Sequence, residues 1–162
     1  METTTQFAPY LANVSLERSR WYLGSLLTFL ATGKDNGGQF SLTETLMRKG
    51  LEPPKHMHTR EDETVYVLEG EIKFMVGENE CTLKAREFIY LPKNIPHQFF
   101  ILSETAKYLL QTFPAGLEEV FMEASIPAER MELPAAPSGP PDMEFIKKLG
   151  ALLSNQGVAM YR

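Results

Sequence analysis

Three histidines occur in the 162-residue chain, and two of them are separated by a single residue, as His56-Met57-His58. Alternate side chains of an extended strand leave the same face, so both imidazoles point one way. After the charged stretch 59–62, Glu63 heads the β-prone run 64–68, and its face continues through Val65 and Val67. His97 follows a Pro-Lys-Asn-Ile-Pro turn and shares its strand face with Phe99 and Ile101. Three imidazoles and a carboxylate form a nitrogen-and-oxygen donor set suited to a borderline divalent metal. A lone strand histidine commonly closes a structural hydrogen bond, and a His-x-His pair alone is a weak signal. Here all the histidines fall where they can converge among apolar neighbours. Buried imidazole and carboxylate are costly there unless paired or ligated. Glu61 and Asp62 compete with Glu63, but they sit in the turn and are read as facing water. Met57 points the other way and is read as packing.

Donors from separated segments need a rigid scaffold to meet. Residues 1–20 are polar, carry Pro9 and show no sustained period, so they read as an N-terminal arm. Residues 21–23, 26–32 and 39–47 read as strands divided by Gly24 and by the glycine-rich stretch 33–38. Residues 71–76 and 80–84 flank Gly77-Glu78-Asn79 as a hairpin. Residues 87–91 form a strand stopped by Pro92, and 97–102 with 107–113 form a last hairpin closed by Pro114. About nine short strands without a long helix among them predict an all-β sandwich or barrel.

The final quarter differs. Leu117, Val120, Phe121 and Ala124 fall at helical spacing, and 127–141 is a strap rich in Pro and Ala. Asp142 is a good N-cap for a helix whose apolar face is Phe145, Ile146, Leu149, Leu152 and Leu153, ending at Gly157 and covering one side of the barrel. The expected division is an arm at 1–20, a barrel at 21–125, and a strap with a C-terminal helix at 126–162.

Composition narrows the function. The formal charge of −5 and pI near 5.3 offer nothing to neutralise phosphates, which argues against nucleic acid or an anionic membrane. The apolar stretch 21–31 is interrupted and too short to span a bilayer, and residues 1–20 lack a secretory pattern. A cytoplasmic location is expected. The single cysteine, Cys81, excludes an internal disulfide and is read as packing within a strand.

A family resemblance rests on these same residues. Gly50, five residues, His56-x-His58, four residues, Glu63, six residues and Gly70 match the first cupin motif at every fixed position. In the second motif Arg86 stands where a Gly is expected, followed by Pro92, Asn94 in place of the second Gly, and His97; Ile101 replaces the closing Asn. Asn tolerates left-handed φ, so the turn survives that exchange. The resemblance covers about residues 21–125. It implies a double-stranded β-helix, the jelly-roll cupin barrel, with a mononuclear metal on His56, His58, Glu63 and His97, and often a homodimer. Within the superfamily the chain is most similar to small single-domain relatives of quercetin dioxygenase, through residues 22–30 and 40–44.

That likeness implies a dioxygenase-type oxidoreductase acting on a small enolisable or aromatic molecule, with Glu63 also serving as general base. Metal-dependent isomerisation of a sugar or keto acid is a second reading, and a non-catalytic metal or small-molecule binding module a third. The donors accept Fe, Mn, Ni, Co, Cu or Zn. Expected pocket residues are Phe40, Leu42, Phe99, Ile101 and Phe121, with Tyr66 or Tyr90 as hydrogen-bond donors.

Overall fold

A computed structural model describes residues 7–161; residues 1–6 of the expected arm and residue 162 lie outside the described residues. In chain order the elements are β1 (Ser19–Tyr22), β2 (Ser25–Ala31), α1 (Gly33–Asn36), β3 (Ser41–Arg48), β4 (His56–His58), β5 (Asp62–Glu69), β6 (Glu71–Val76), β7 (Asn79–Lys84), β8 (Phe88–Leu91), β9 (His97–Ile101), β10 (Thr105–Phe113), α2 (Leu117–Glu123), β11 (Ile126–Pro127), α3 (Met143–Gln156) and β12 (Val158–Met160). The strands form two antiparallel sheets. One runs β11-β1-β2-β3-β10-β5-β8 and the other β12-β4-β9-β6-β7. This is the jelly-roll barrel expected from the sequence, followed by a C-terminal helix.

Alternation decides which side chains meet between the sheets. Along β3 the residues Ser41, Thr43, Thr45 and Met47 are buried, while Leu42, Glu44, Leu46 and Arg48 face outward. Toward one end the inner faces are apolar: Met47, Val65, Val67, Ile72, Phe74, Leu83, Leu91, Ile101, Ala106 and Tyr108 pack as one cluster. Each large side chain buried there contributes roughly 1.5–3 kcal/mol. Elsewhere the inner face of the larger sheet carries hydroxyls that satisfy one another. Ser19 Oγ lies 2.7 Å from Thr28 Oγ1, and Ser41 Oγ lies 2.7 Å from Thr112 Oγ1.

The turns explain the motif glycine and its replacements. Gly70 reverses the chain between β5 and β6 at φ +89°, where a Cβ would come within 2.6 Å of the Thr105 carbonyl oxygen and the Ser103 hydroxyl. Only glycine fits. Arg86 and Asn94 hold the left-handed conformation without being glycine, at φ +74° and +64°. The glycine-rich stretch after β2 contains a single helical turn, α1, closed by a Thr32–Asp35 capping box, before Gly37 and Gly38 reverse the chain.

The C-terminal region carries two strands that the sequence reading missed. Short β11 pairs with β1, and β12 pairs with β4. Helix α3 starts at its expected cap, with the Asp142 carboxylate accepting from the Glu144 and Phe145 amides, and ends at Gly157. Leu149 is buried, Phe145, Leu152 and Leu153 are half-buried, and Ile146 is exposed, so the face is narrower than expected. After β11 the chain is tied to β1: the Trp21 indole donates to the Glu132 carbonyl at 2.9 Å, and the Arg130 guanidinium lies 5.3 Å from the centre of the Trp21 ring. Cys81, read as packing, is exposed on edge strand β7. No helix among the described residues is long and apolar enough to cross a membrane.

Candidate metal centre

Pairing of β4 with β9 sets His56 directly opposite His97. Glu63 opens β5 from the other sheet, pairing with Thr112 and Leu91. The ligand atoms of His56, His58, Glu63 and His97 all lie within 4.8 Å of one another. The His56 and His97 rings meet edge-on at 4.5 Å, and His58 and His97 stack at 5.5 Å.

Two of the imidazoles have a hydrogen-bond partner for the outer nitrogen. His56 Nδ1 lies 2.9 Å from the Pro54 carbonyl, and His97 Nδ1 lies 3.3 Å from that of Ile95. A carbonyl only accepts, so both rings carry the proton on Nδ1 and leave Nε2 bare. For His58 the outer contact is Glu61, whose Oε2 lies 3.4 Å from Nδ1, while Nε2 lies 3.3 Å from Glu63 Oε2. The Nε2 atoms of His58 and His97 are buried without a hydrogen-bond partner, and so are His58 Nδ1 and Glu61 Oε2, which face each other as an ion-pair contact. Bare, buried nitrogens facing a carboxylate are what a divalent transition ion would satisfy, so the donors fit such a group.

The electrostatics agree with that geometry. Burial lowers His56 to about 4, and burial together with the other two histidines lowers His97 to about 3, so both are neutral ligands at neutral pH. Burial also works against a charged His58, but Glu61 and Glu63 outweigh it and raise its pKa. Burial raises Glu63, with His58 opposing and Glu61 adding to the effect. Glu61 is the correction here: it was expected in water and is fully buried. Burial would raise its pKa, yet the ion-pair contact with His58 and the hydrogen bond from Gln156 lower it; Gln156 Nε2 donates to Oε1 at 2.7 Å. Sequence carried no sign of this, because Gln156 lies 95 residues away.

A cavity of about 130 Å³ adjoins the cluster, and His56, His58 and Glu63 line it. Of the expected pocket residues, Phe99 and Phe121 line it and Phe40, Leu42 and Ile101 do not. Phe40 precedes β3, Leu42 occupies that strand's outward register, and Ile101 is sealed inside the apolar cluster. Tyr66 and Tyr90 face outward and are exposed; Tyr22 and Tyr108 take the place expected of them. Burial pushes the Tyr22 phenol up to about 12 and raises Tyr108 too, so both remain hydrogen-bond donors. Alternation with Ala106 and Leu110 could have pointed to Tyr108. Leu153 and Met160 come from the C-terminal segment.

A double-sheet β-barrel with three imidazoles and a carboxylate at one focus defines a cupin. Residues 42–112 match the family model of the Cupin domain. It is 28% identical over 130 residues to the quercetin 2,3-dioxygenase of Bacillus subtilis, an alignment that takes in 80% of this chain and 38% of that protein. The chain thus spans well under half the length of that relative. Among solved structures, KdgF from Halomonas sp. superposes with a TM-score of 0.60 at 14% identity, over 69% of this chain and 99% of that one. The Streptomyces protein PAC13 with uridine superposes at 0.55 and 20% identity, over 69% and 87%. A predicted oxalate decarboxylase from Thermotoga maritima gives 0.58 at 15% identity, over 65% and 99%. These three likenesses establish the fold.

Proposed function

We propose that this cupin is a metal-dependent oxidoreductase of the dioxygenase type, acting on a small enolisable or aromatic molecule. The observation that carries the reading is the cavity wall. Apart from the imidazoles, Glu63 and the hydroxyls of Tyr22, Ser25, Thr45 and Tyr108, it is built from Leu27, Met47, Phe74, Phe99, Phe121 and similar side chains, and no Lys or Arg lines it among the described residues. A phosphate or a free carboxylate away from the donors would be buried there without a counter-charge. An apolar body with oxygens at one end meets no such cost. This favours the oxygenase reading over isomerisation of a sugar or keto acid, whose many polar groups would each need a partner.

When bound by His56, His58, Glu63 and His97, a divalent ion supplies Lewis acidity toward an enol or phenol oxygen and, if redox-active, a route for electrons to dioxygen. The chain's own residues supply the rest. Glu63, raised by burial, is a base of increased strength for a hydroxyl proton of the substrate. The apolar walls exclude water, and the Tyr22 and Tyr108 phenols donate hydrogen bonds. Dioxygen is the oxidant, and no further reductant is needed when both of its atoms enter the product.

The test is dioxygen consumption by Fe-, Mn- or Ni-loaded protein across flavonols, catechols and 1,3-dicarbonyls. Uptake with at least one class, lost in Glu63→Gln, is the expected outcome. Aldose–ketose or keto-acid interconversion without uptake would overturn the reading.

A further inference from the structure

One group on the cavity wall has no role in holding a metal. Ser25 opens β2, is 1% exposed and lines the cavity shared with His56, His58 and Glu63. Its Oγ is buried without a hydrogen-bond partner. The paired hydroxyls of Ser19 with Thr28 and of Ser41 with Thr112 show that this sheet satisfies its inward hydroxyls where packing is closed. Thr45 Oγ1, also on the cavity wall, is likewise buried without a hydrogen-bond partner; Tyr108 stands opposite Thr45 and Tyr22 opposite Ser25 in their ladders, and neither phenol bonds the hydroxyl across from it. A buried hydroxyl in that state costs on the order of 1–3 kcal/mol, a cost that a bound molecule carrying a hydroxyl or carbonyl removes.

Size and charge define that molecule further. The cavity of about 130 Å³ compares with an engineered apolar protein cavity of about 150 Å³ that takes up benzene. Among the described residues Glu63 is the sole carboxylate on the wall, and it belongs to the donor set. Resting on the reading of this cavity as a substrate site, we propose that its ligand is an uncharged molecule of about one ring. Adjacent oxygens face the four donors, and a further hydroxyl or carbonyl accepts from, or donates to, Ser25. The cavity is partly open to solvent, and a three-ring flavonol would leave part of its frame outside it.

Three probes separate the elements of this proposal. Maltol carries a ring hydroxy-ketone alone, kojic acid carries the same group plus a hydroxymethyl, and quercetin carries it on a three-ring frame. Binding to Co-loaded protein is followed by calorimetry and by the visible spectrum of the ion. Kojic acid is expected to bind wild type more tightly than maltol, and quercetin more weakly than both. Ser25→Ala should weaken kojic acid about two- to tenfold, the worth of one hydrogen bond, and leave maltol unchanged. The variant should melt no lower than wild type, because the hydroxyl bonds to nothing in the fold. Equal affinity of wild type and Ser25→Ala for kojic acid, or a loss of melting temperature in that variant, would overturn the subsite. Tighter binding of quercetin would overturn the size limit. If no probe binds while cobalt content is intact, the substrate-site reading falls as well, an outcome distinct from either.

Discussion

The two strands that bring donors into the centre from the first half of the chain are held in different ways. β5, which carries Glu63, is paired along nearly its whole length with β10 on one side and along its first half with β8 on the other. β4, which carries His56 and His58, has three residues and meets β9 at a single register position. Its full-length partner is β12. The same C-terminal segment supplies the Gly157 carbonyl to the Thr59 amide and hydroxyl, and Gln156 to Glu61. The carboxylate side of the centre is therefore fixed by the barrel. Its His-x-His side is fixed by residues that lie well beyond the 42–112 region matched by the family model.

The contrast can be broken at several levels. The largest effect is expected from replacing His56 and His58 together with Ala, which removes half the donors. Elemental analysis should find no stoichiometric metal, and undiminished content would end the assignment of the centre. Ending the chain at residue 142 removes α3 and β12 while leaving every donor in place. If the C-terminal segment fixes β4, affinity measured against a competing chelator should fall on the order of 100-fold. Full affinity in the truncated chain would show that β9 alone suffices.

A finer cut is Glu61→Gln, which replaces the carboxylate charge facing His58 Nδ1 with a neutral amide. Loss of metal affinity of about 10–100-fold is expected, with a smaller loss for Gln156→Ala. Asp62→Asn on the same turn should change affinity little, since Asp62 caps the Lys93 amide instead. Similar losses in all three variants would mean that the turn acts as a whole and not through Glu61.

The smallest effect concerns acidity in the metal-free protein. His56 and His97 are lowered from 6.5 to about 4 and about 3 on folding. Below pH 6.5 the unfolded chain takes up protons that these two refuse, so their contribution to stability falls as pH drops and levels off below the folded values. The lowered Glu61 acts in the same sense, losing stability as pH falls through its folded value. The raised His58 and Glu63 act in the opposite sense, favouring the fold on the acid side. With two large shifts leading, the melting temperature should fall by roughly 5–10 °C between pH 7 and pH 4.5. A flat profile would show that the five histidine and glutamate contributions cancel.

Much of this centre was legible beforehand because its determinants are local. His56 and His58 share a face by strand period alone, and Gly70 marks a reversal that admits no Cβ. Asn94 could be trusted to keep the turn before His97 because its side chain tolerates positive φ. What stayed hidden depends on distant partners. Strands of two and three residues, β11 and β12, are too short to show alternation and exist through pairing with β1 and β4. Glu61 looked like a solvated turn residue because nothing near it in sequence reveals Gln156. Two of the five expected pocket residues line the cavity, for a related reason. Periodicity separates Leu42 from Thr43, but it does not say which inward residues meet packing and which meet empty space. Ile101 fell on the packed side of that division.

The contact between Trp21 and the backbone of Glu132, with Arg130 over the ring, has a practical use. Trp21 is the only tryptophan in the chain. Its intrinsic fluorescence therefore arises at one known point, where the connection toward α3 crosses the outer strands. Quenching and emission wavelength would report, without any attached dye, whether that connection is seated. Detachment of the C-terminal region could then be timed against release of the ion in a single stopped-flow trace.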